Sequence, residues 1–189
     1  MRAALIACSL TCLVAFPAGA FAVKPVDKTN ASKECKAERG TDAATQEAFA
    51  LKYGTNKNGK NAHGKCVSQK TKEEAAERKA ARESASKACR AERGDTPESK
   101  QAFAEKYGTN KNKRNAFGKC VSGKAKTKQK KQDKQDMAAI EETKNAAKEC
   151  DAERGDTPDT EAAFAEKYGK NKNDKNAFGK CVSGKTHDA

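Results

Sequence analysis

Residues 89–120 read CRAERGDTPESKQAFAEKYGTNKNKRNAFGKC, and nearly the same text recurs at 35–66 and 150–181. The three stretches align without a gap, each 32 residues long and each beginning and ending in Cys, with nineteen positions identical in all three. A repeat of this kind decides the organisation before any helix or strand is assigned. The shared text is C-x-A-E-R-G, then A-F-A-x-K-Y-G, then N-K-N-x-x-N-A-x-G-K-C, followed each time by Val-Ser. Within residues 89–120 the local signals are helical. Ala85, Ala88 and Cys89 recur at helical spacing and the run stops at Gly94, a C-terminal cap residue. Asp95 or Thr96 can cap a second helix that has Pro97 at its first position, Phe103 and Tyr107 one turn apart, and Gly108 just past its end. Thr109-Asn110-Lys111-Asn112 carries turn and N-cap chemistry, and Phe117, Cys120 and Val121 then fall at i, i+3 and i+4 of a third helix. Gly118 on that helix is expected either to admit a close neighbouring helix or to mark an irregular turn.

Working outward, the N-terminus has the layout of a secretory signal peptide: Met1-Arg2, an apolar run from Ala3 to Phe16, Pro17, then Ala18, Gly19 and Ala20. Cleavage is expected after Ala22, with Ala20 as second choice, and residues 1–22 are assigned to the leader. Leu5-Ile6-Ala7-Cys8 has the look of a lipoprotein box, but almost no apolar segment precedes it. The apolar run is shorter than the roughly 20 residues needed to span a bilayer. The mature chain is therefore expected to be secreted, extracellular or in the cell envelope.

Without the leader, 38 basic side chains stand against 26 acidic ones, a net charge of +12. Eight aromatic residues remain, all within the repeats, and there is no Trp. That inventory cannot build one large core. Six Cys remain, all at unit edges, and in an exported chain such pairs read as disulfides. A unit copied with both cysteines is most economically closed on itself, which pairs Cys35 with Cys66, Cys89 with Cys120 and Cys150 with Cys181. Closing a 31-residue separation removes unfolded-chain entropy worth about 3.7 kcal/mol. The fold class is thus all-α: three tandem small helical units, each with an internal disulfide, joined by charged helical or flexible linkers.

The expected boundaries are unit 1 at 31–68, a charged helical linker at 69–84, unit 2 at 85–122, a Lys-rich linker at 123–136, and unit 3 with a leading helix at 137–184. Residues 69–84 hold no Gly or Pro, are rich in helix formers and pair Glu74 with Arg78 and Glu83 with Lys87 at i, i+4. They read as a solvated helix, able to continue into the helices on both sides. Residues 122–136 hold six Lys against two Asp and are the segment with least reason to be ordered, while Met137 and Ile140 open a helical face leading into unit 3.

No residue set points to catalysis. The acids present in every copy are Glu38, Glu92 and Glu153, each followed by Arg39, Arg93 or Arg154, and they are expected to form ion pairs at helix ends, with that Arg or with a Lys of the Asn-Lys-Asn loop. No second shared carboxylate, Ser–His pair or phosphate-cradling Gly loop accompanies them. His63 stands where the other copies have Phe117 and Phe178, and cysteines this far apart lack zinc-site spacing. The Asn-rich loops offer Lys where calcium needs carboxylates. No cofactor and no metal are expected.

Charge is the remaining candidate. Lys57, Lys60 and Lys65 in unit 1, Lys111, Lys113, Arg114 and Lys119 in unit 2, and Lys170, Lys172, Lys175 and Lys180 in unit 3 cluster near each third helix. Three such patches could hold a polyanion by multivalency, as an alternative to simply keeping the chain soluble. No basic helix has the broad apolar face of a membrane-active peptide.

The text C-x-A-E-R-G, A-F-A-x-K-Y-G-T-N and N-A-F-G-K-C-V-S resembles a short Cys-bounded repeat of predicted secreted bacterial proteins of unassigned activity. The likeness covers the three units and not the linkers. It implies export and a recurring module, and supplies no catalytic or ligand residues. His63 departs from the pattern, as does Thr41-Asp42-Ala43, which lacks the Asp-Thr-Pro cap and is expected to loosen the second helix of unit 1. The expected function is a secreted or envelope-associated, non-enzymatic, monomeric repeat protein in a structural or interaction role. The alternative is a binder of anionic wall polymer, extracellular nucleic acid or acidic lipid.

Overall fold

The computed structural model describes residues 23–170 and 174–187. The expected leader at 1–22 lies outside the described residues, as does Lys172.

Among the described residues seven helices follow one another: α1 (Pro25–Arg39), α2 (Ala43–Tyr53), α3 (Ala62–Arg93), α4 (Pro97–Tyr107), α5 (Ala116–Arg154), α6 (Pro158–Tyr168) and α7 (Ala177–His187). Each unit is the end of one helix, a short second helix and the start of a third, closed by Cys35–Cys66, Cys89–Cys120 or Cys150–Cys181, and the long α3 and α5 each serve two units. The reason for the short second helix is local. Gly40, Gly94 and Gly155 end the first helix at φ +61, +63 and +67 with ψ near 180°, a conformation open essentially to Gly alone. A Cβ at Gly40 would sit 2.4 Å from Thr45 Oγ1, so the chain can turn tightly onto the second helix only there.

Thr96 and Thr157 cap α4 and α6 as their Thr-Pro pairs predict, accepting from the amides of Ser99 and Thr160 at 3.2 and 3.3 Å. In unit 1 the Asp42 carboxylate accepts from Thr45 N at 2.9 Å, so α2 is as long as its counterparts and the expected loosening does not occur. Asn61 and Asn115, which precede the third helices of units 1 and 2, do not cap them. Asn61 and Asn115 instead reach back across the loop, accepting from the amides of Thr55 and Thr109 and donating to their hydroxyls at 2.7 Å. Gly118 has no atom within 4 Å of a built Cβ, so it admits no close helix; it is exposed within a regular helix.

The two linkers are not separate elements. Residues 69–84 run inside α3 and 123–136 inside α5, so the Lys-rich segment is ordered as helix throughout. Without Gly, Pro or a cap between residues 124 and 154, nothing in α5 stops propagation once its ends are nucleated by disulfide-braced units. Nor are the linkers mere connection, since Ala75, Ala81 and Ala125 are buried, and Ala81 and Ala85 pack on Ala125 where α3 and α5 run antiparallel.

Continuity decides where the units go. Cys66 and Cys89 are 23 residues apart on α3, about 35 Å, and Cys120 and Cys150 are 30 apart on α5, about 45 Å. The chain therefore travels out to unit 2 and returns, which brings units 1 and 3 together at one end with unit 2 alone at the other. Ala44 of α2 is buried in the core of unit 3 with Ala146, Ala147, Cys150, Phe164 and Phe178, and Ala48 packs against that cluster. Glu47 receives two hydrogen bonds from Arg154 at 3.0 and 2.9 Å.

This docking explains where the first copy departs from the others. Ala44 replaces the acids Glu98 and Asp159, Leu51 replaces Glu105 and Glu166, and Glu47 stands in place of Gln101 and Ala162. Acids are missing where α2 meets apolar surface, and one is gained where Arg154 waits.

Candidate functional site

The three units carry the same polar cluster. Glu92, at the end of a long helix, accepts from Lys106 Nζ at 2.6 Å and from Tyr107 Oη at 2.7 Å, both on α4, and pairs with Lys124 on α5 at 3.0 Å. Glu38 accepts from Lys52 at 2.6 Å and from Tyr53 at 3.2 and 3.0 Å, with Lys70 4.0 Å away. Glu153 accepts from Lys167 and from Tyr168 at 2.9 and 3.1 Å, with Lys185 3.7 Å away. One carboxylate thus ties the first helix of a unit to its second and third. The expected partners, the adjacent Arg or a loop Lys, are not the ones used. The Arg instead lies over the aromatic ring of the third helix, Arg93 5.7 Å from the Phe117 centroid and Arg154 4.7 Å from that of Phe178. The register of the repeat held the signal: Lys70, Lys124 and Lys185 each lie four residues past the closing Cys, one helical turn beyond the shared text.

The electrostatics suit a clamp. Hydrogen bonds from Lys106 and Tyr107 hold the Glu92 carboxyl down to about 2, and those from Lys167 and Tyr168 lower that of Glu153. Burial beside Glu38 pushes the Tyr53 hydroxyl well above its ordinary value. The three copies differ in depth, the side chain being 3% exposed for Glu38, 27% for Glu92 and 31% for Glu153.

Beside each clamp lies the aromatic core. Phe103 and Tyr107 stack at 4.8 Å between ring centroids, as do Phe49 with Tyr53 and Phe164 with Tyr168 at 5.0 and 4.9 Å. These rings, the i, i+4 pairs of the repeat, face the disulfide rather than solvent. His63 is half-buried and its Nε2 is enclosed without a hydrogen-bond partner among the described residues, near Val23, Ser32 and Val67. Among the described residues no three His, Cys, Asp or Glu side chains are grouped so as to hold a metal ion.

The predicted cations among the described residues are placed at both ends of the molecule, those of units 1 and 3 at the shared end and those of unit 2 at the far end. Lys57, Lys60, Lys65, Lys111, Arg114, Lys119, Lys170, Lys175 and Lys180 are exposed. Lys113 is also exposed but serves its own loop, with φ +55 and Nζ donating to Gly108 O at 3.1 Å. The continuous α5 adds cations that the unit-by-unit reading left out. Lys119, Lys126, Lys130 and Lys134 fall on one helix face and are exposed.

A cleft of about 420 Å³ opens where units 1 and 3 meet, between Ala48, Leu51 and Lys52 on one side and Thr143, Ala147 and Val182 on the other. No described helix is long and apolar enough to cross a membrane. No protein-family model matches the chain, and no curated protein or solved structure is detectably similar to it.

Proposed function

We propose that the chain is a secreted or cell-envelope module that works by holding surfaces at fixed separations and carries out no catalysis. The observation that carries this reading is the continuity of α3 and α5 between disulfide-closed units, which turns three repeats into one braced frame about 45 Å along α5 between cysteines. Three disulfides are compatible with an extracellular location. Each shared acid is committed to its clamp, and each pair of shared aromatics to its core, so repetition here multiplies braces. Export of a C-terminally tagged full chain, followed by non-reducing peptide mapping, tests the reading. The exported protein should contain the three within-unit links, and reduced protein retained in the cytosol would refute it.

A second reading, binding of a linear polyanion, is favoured by the helical Lys-rich segment. Lys126, Lys130 and Lys134 follow one another at i, i+4, about 6 Å of rise apiece, exposed and without an ion pair to a described residue. Rigid, evenly spaced cations suit a regularly charged chain better than a disordered tail would. With long-chain polyphosphate and single-stranded DNA as probes, log affinity should fall steeply between about 50 and 200 mM salt, and K126A/K130A/K134A should flatten that slope. An affinity indifferent to salt would exclude the reading.

A further inference from the structure

Units 1 and 3 meet where α2 sits on a face that every unit possesses. On unit 3 that face is made by α5 and α7. Ala44 lies in the cluster of Ala146, Ala147 and Phe178, Arg154 holds Glu47, and Leu51 Cδ1 lies 3.9 Å from where a Cβ on Gly179 would stand. Gly179 is thus the floor on which Leu51 rests. All three copies have glycine at this place, as Gly64, Gly118 and Gly179, although glycine weakens a helix interior. A Cβ at Gly64 or Gly118 would meet nothing within 4 Å among the described residues, so the seat that α2 fills on unit 3 is open on units 1 and 2.

The open seat on unit 1 has a chemistry of its own. A groove of about 650 Å³ between α1 and the start of α3 is lined by Gly64, Val67, Ser68 and Thr71, the counterparts of Gly179, Val182, Ser183 and Thr186 in the cleft beside Leu51. Three places differ from unit 3, all towards polarity: His63 stands for Phe178, Ser32 for Ala147 and Lys28 for Thr143. Lys72 lines the groove as well, and neither it nor Lys28, both exposed, forms an ion pair with a described residue. His63 Nε2 is enclosed there without a hydrogen-bond partner among the described residues. The apolar seat on unit 3 takes Ala44 and Leu51. A seat with two such cations and an unpartnered imidazole suits a second helix that has acids at those two places.

The chain carries such a helix. On α4, Glu98 and Glu105 occupy the positions of Ala44 and Leu51, with Ala102 in that of Ala48, and all three are exposed. Its own unit 1 is out of reach, since Cys66 and Cys89 are about 35 Å apart along α3. We propose that the groove of unit 1 is a docking site for α4 of a second copy of this chain, with Glu98 on the side of Ser32 and His63 and Glu105 towards Lys28 and Lys72. Helix α6 has Asp159 and Glu166 at the same places, but it belongs to the end where units 1 and 3 are already docked, whereas α4 stands clear on a lone unit. Seat and helix are different surfaces, so the contact is heterologous. It closes when two chains lie antiparallel and each seats the other's α4, and it runs on as a chain of molecules when they do not.

Sedimentation of the exported, oxidised chain at concentrations up to about 1 mM tests this, and the mass should exceed that of one chain and rise with concentration. Gly64→Glu puts bulk and like charge into the seat at a position with no neighbour to disturb, and should weaken association at least about tenfold. K28E/K72E and E98K/E105K should each do the same, and mixing these two variants, which restores opposite charges in both contacts, should bring association back to within about threefold of the parent. Gly118→Glu, on the open seat of unit 2, and D159K/E166K, on α6, should behave as the parent. A parent that stays a single chain throughout overturns the proposal, as does association that survives Gly64→Glu. Loss of association in Gly118→Glu or D159K/E166K, or a mixture no tighter than either variant alone, overturns it too.

Discussion

Tyr53→Phe removes one hydroxyl and leaves the ring, so it isolates the polar half of the unit 1 clamp. The lost group donates to both oxygens of Glu38 at 3.2 and 3.0 Å, and that carboxylate is 3% exposed. A hydrogen bond to a charged group contributes about 1.5–3 kcal/mol, and solvent has little access to Glu38 to replace it, so a loss of about 2 kcal/mol is expected. The same change at Tyr107 or Tyr168 leaves Glu92 or Glu153 open to solvent, which supplies a substitute partner, so those variants should stay near the parent. Urea unfolding followed by far-ultraviolet circular dichroism, with disulfides intact and a common slope, reads the difference as a shift in midpoint. Equal losses in the three variants would refute the premise that docking of unit 1 on unit 3 makes its clamp the dry one. A loss at Tyr107 exceeding that at Tyr53 would refute it more directly.

Ala44→Glu restores the acid that the other copies carry and places it in the apolar core of unit 3. It should cost about 2–5 kcal/mol or spring units 1 and 3 apart, seen as new protease cleavage at residues 40–45 with all disulfides retained. Unit 2 stands alone at its end, so C89A/C120A should lower the first melting transition more than C150A/C181A, whose unit is also held by α2; the reverse order in calorimetry would contradict the packing. Asp27 is buried and its carboxyl is lowered chiefly by hydrogen bonding to Arg78, so its stabilisation is present above the ordinary carboxyl value and lost as pH falls. Asp27→Asn should flatten the acid limb of a stability-against-pH curve below about pH 4 while leaving the alkaline limb unchanged, and an unaltered acid limb would show that other carboxylates carry it.

Repetition made much of this protein legible from its residues. A unit copied three times with both cysteines implies its own disulfide, and Gly94 with Thr96-Pro97 implies a tight turn into a capped helix, because these preferences act over a few residues and need no distant partner. The helical linker at 69–84 was legible for the same reason. What no short window contains is the competition between elements. The Lys-rich segment has the least reason to be ordered when read alone, because it gathers six Lys against two Asp. It is helical because two braced units nucleate it from both ends, and once both linkers are rigid the number of residues between cysteines fixes how far the chain travels before it turns. That length, a property of the whole path, brings units 1 and 3 together, hides Ala44 and dries the Glu38 clamp. Local chemistry determined the units; their meeting was decided only in three dimensions, where burial of charge and apolar surface depends on what the rest of the chain puts opposite.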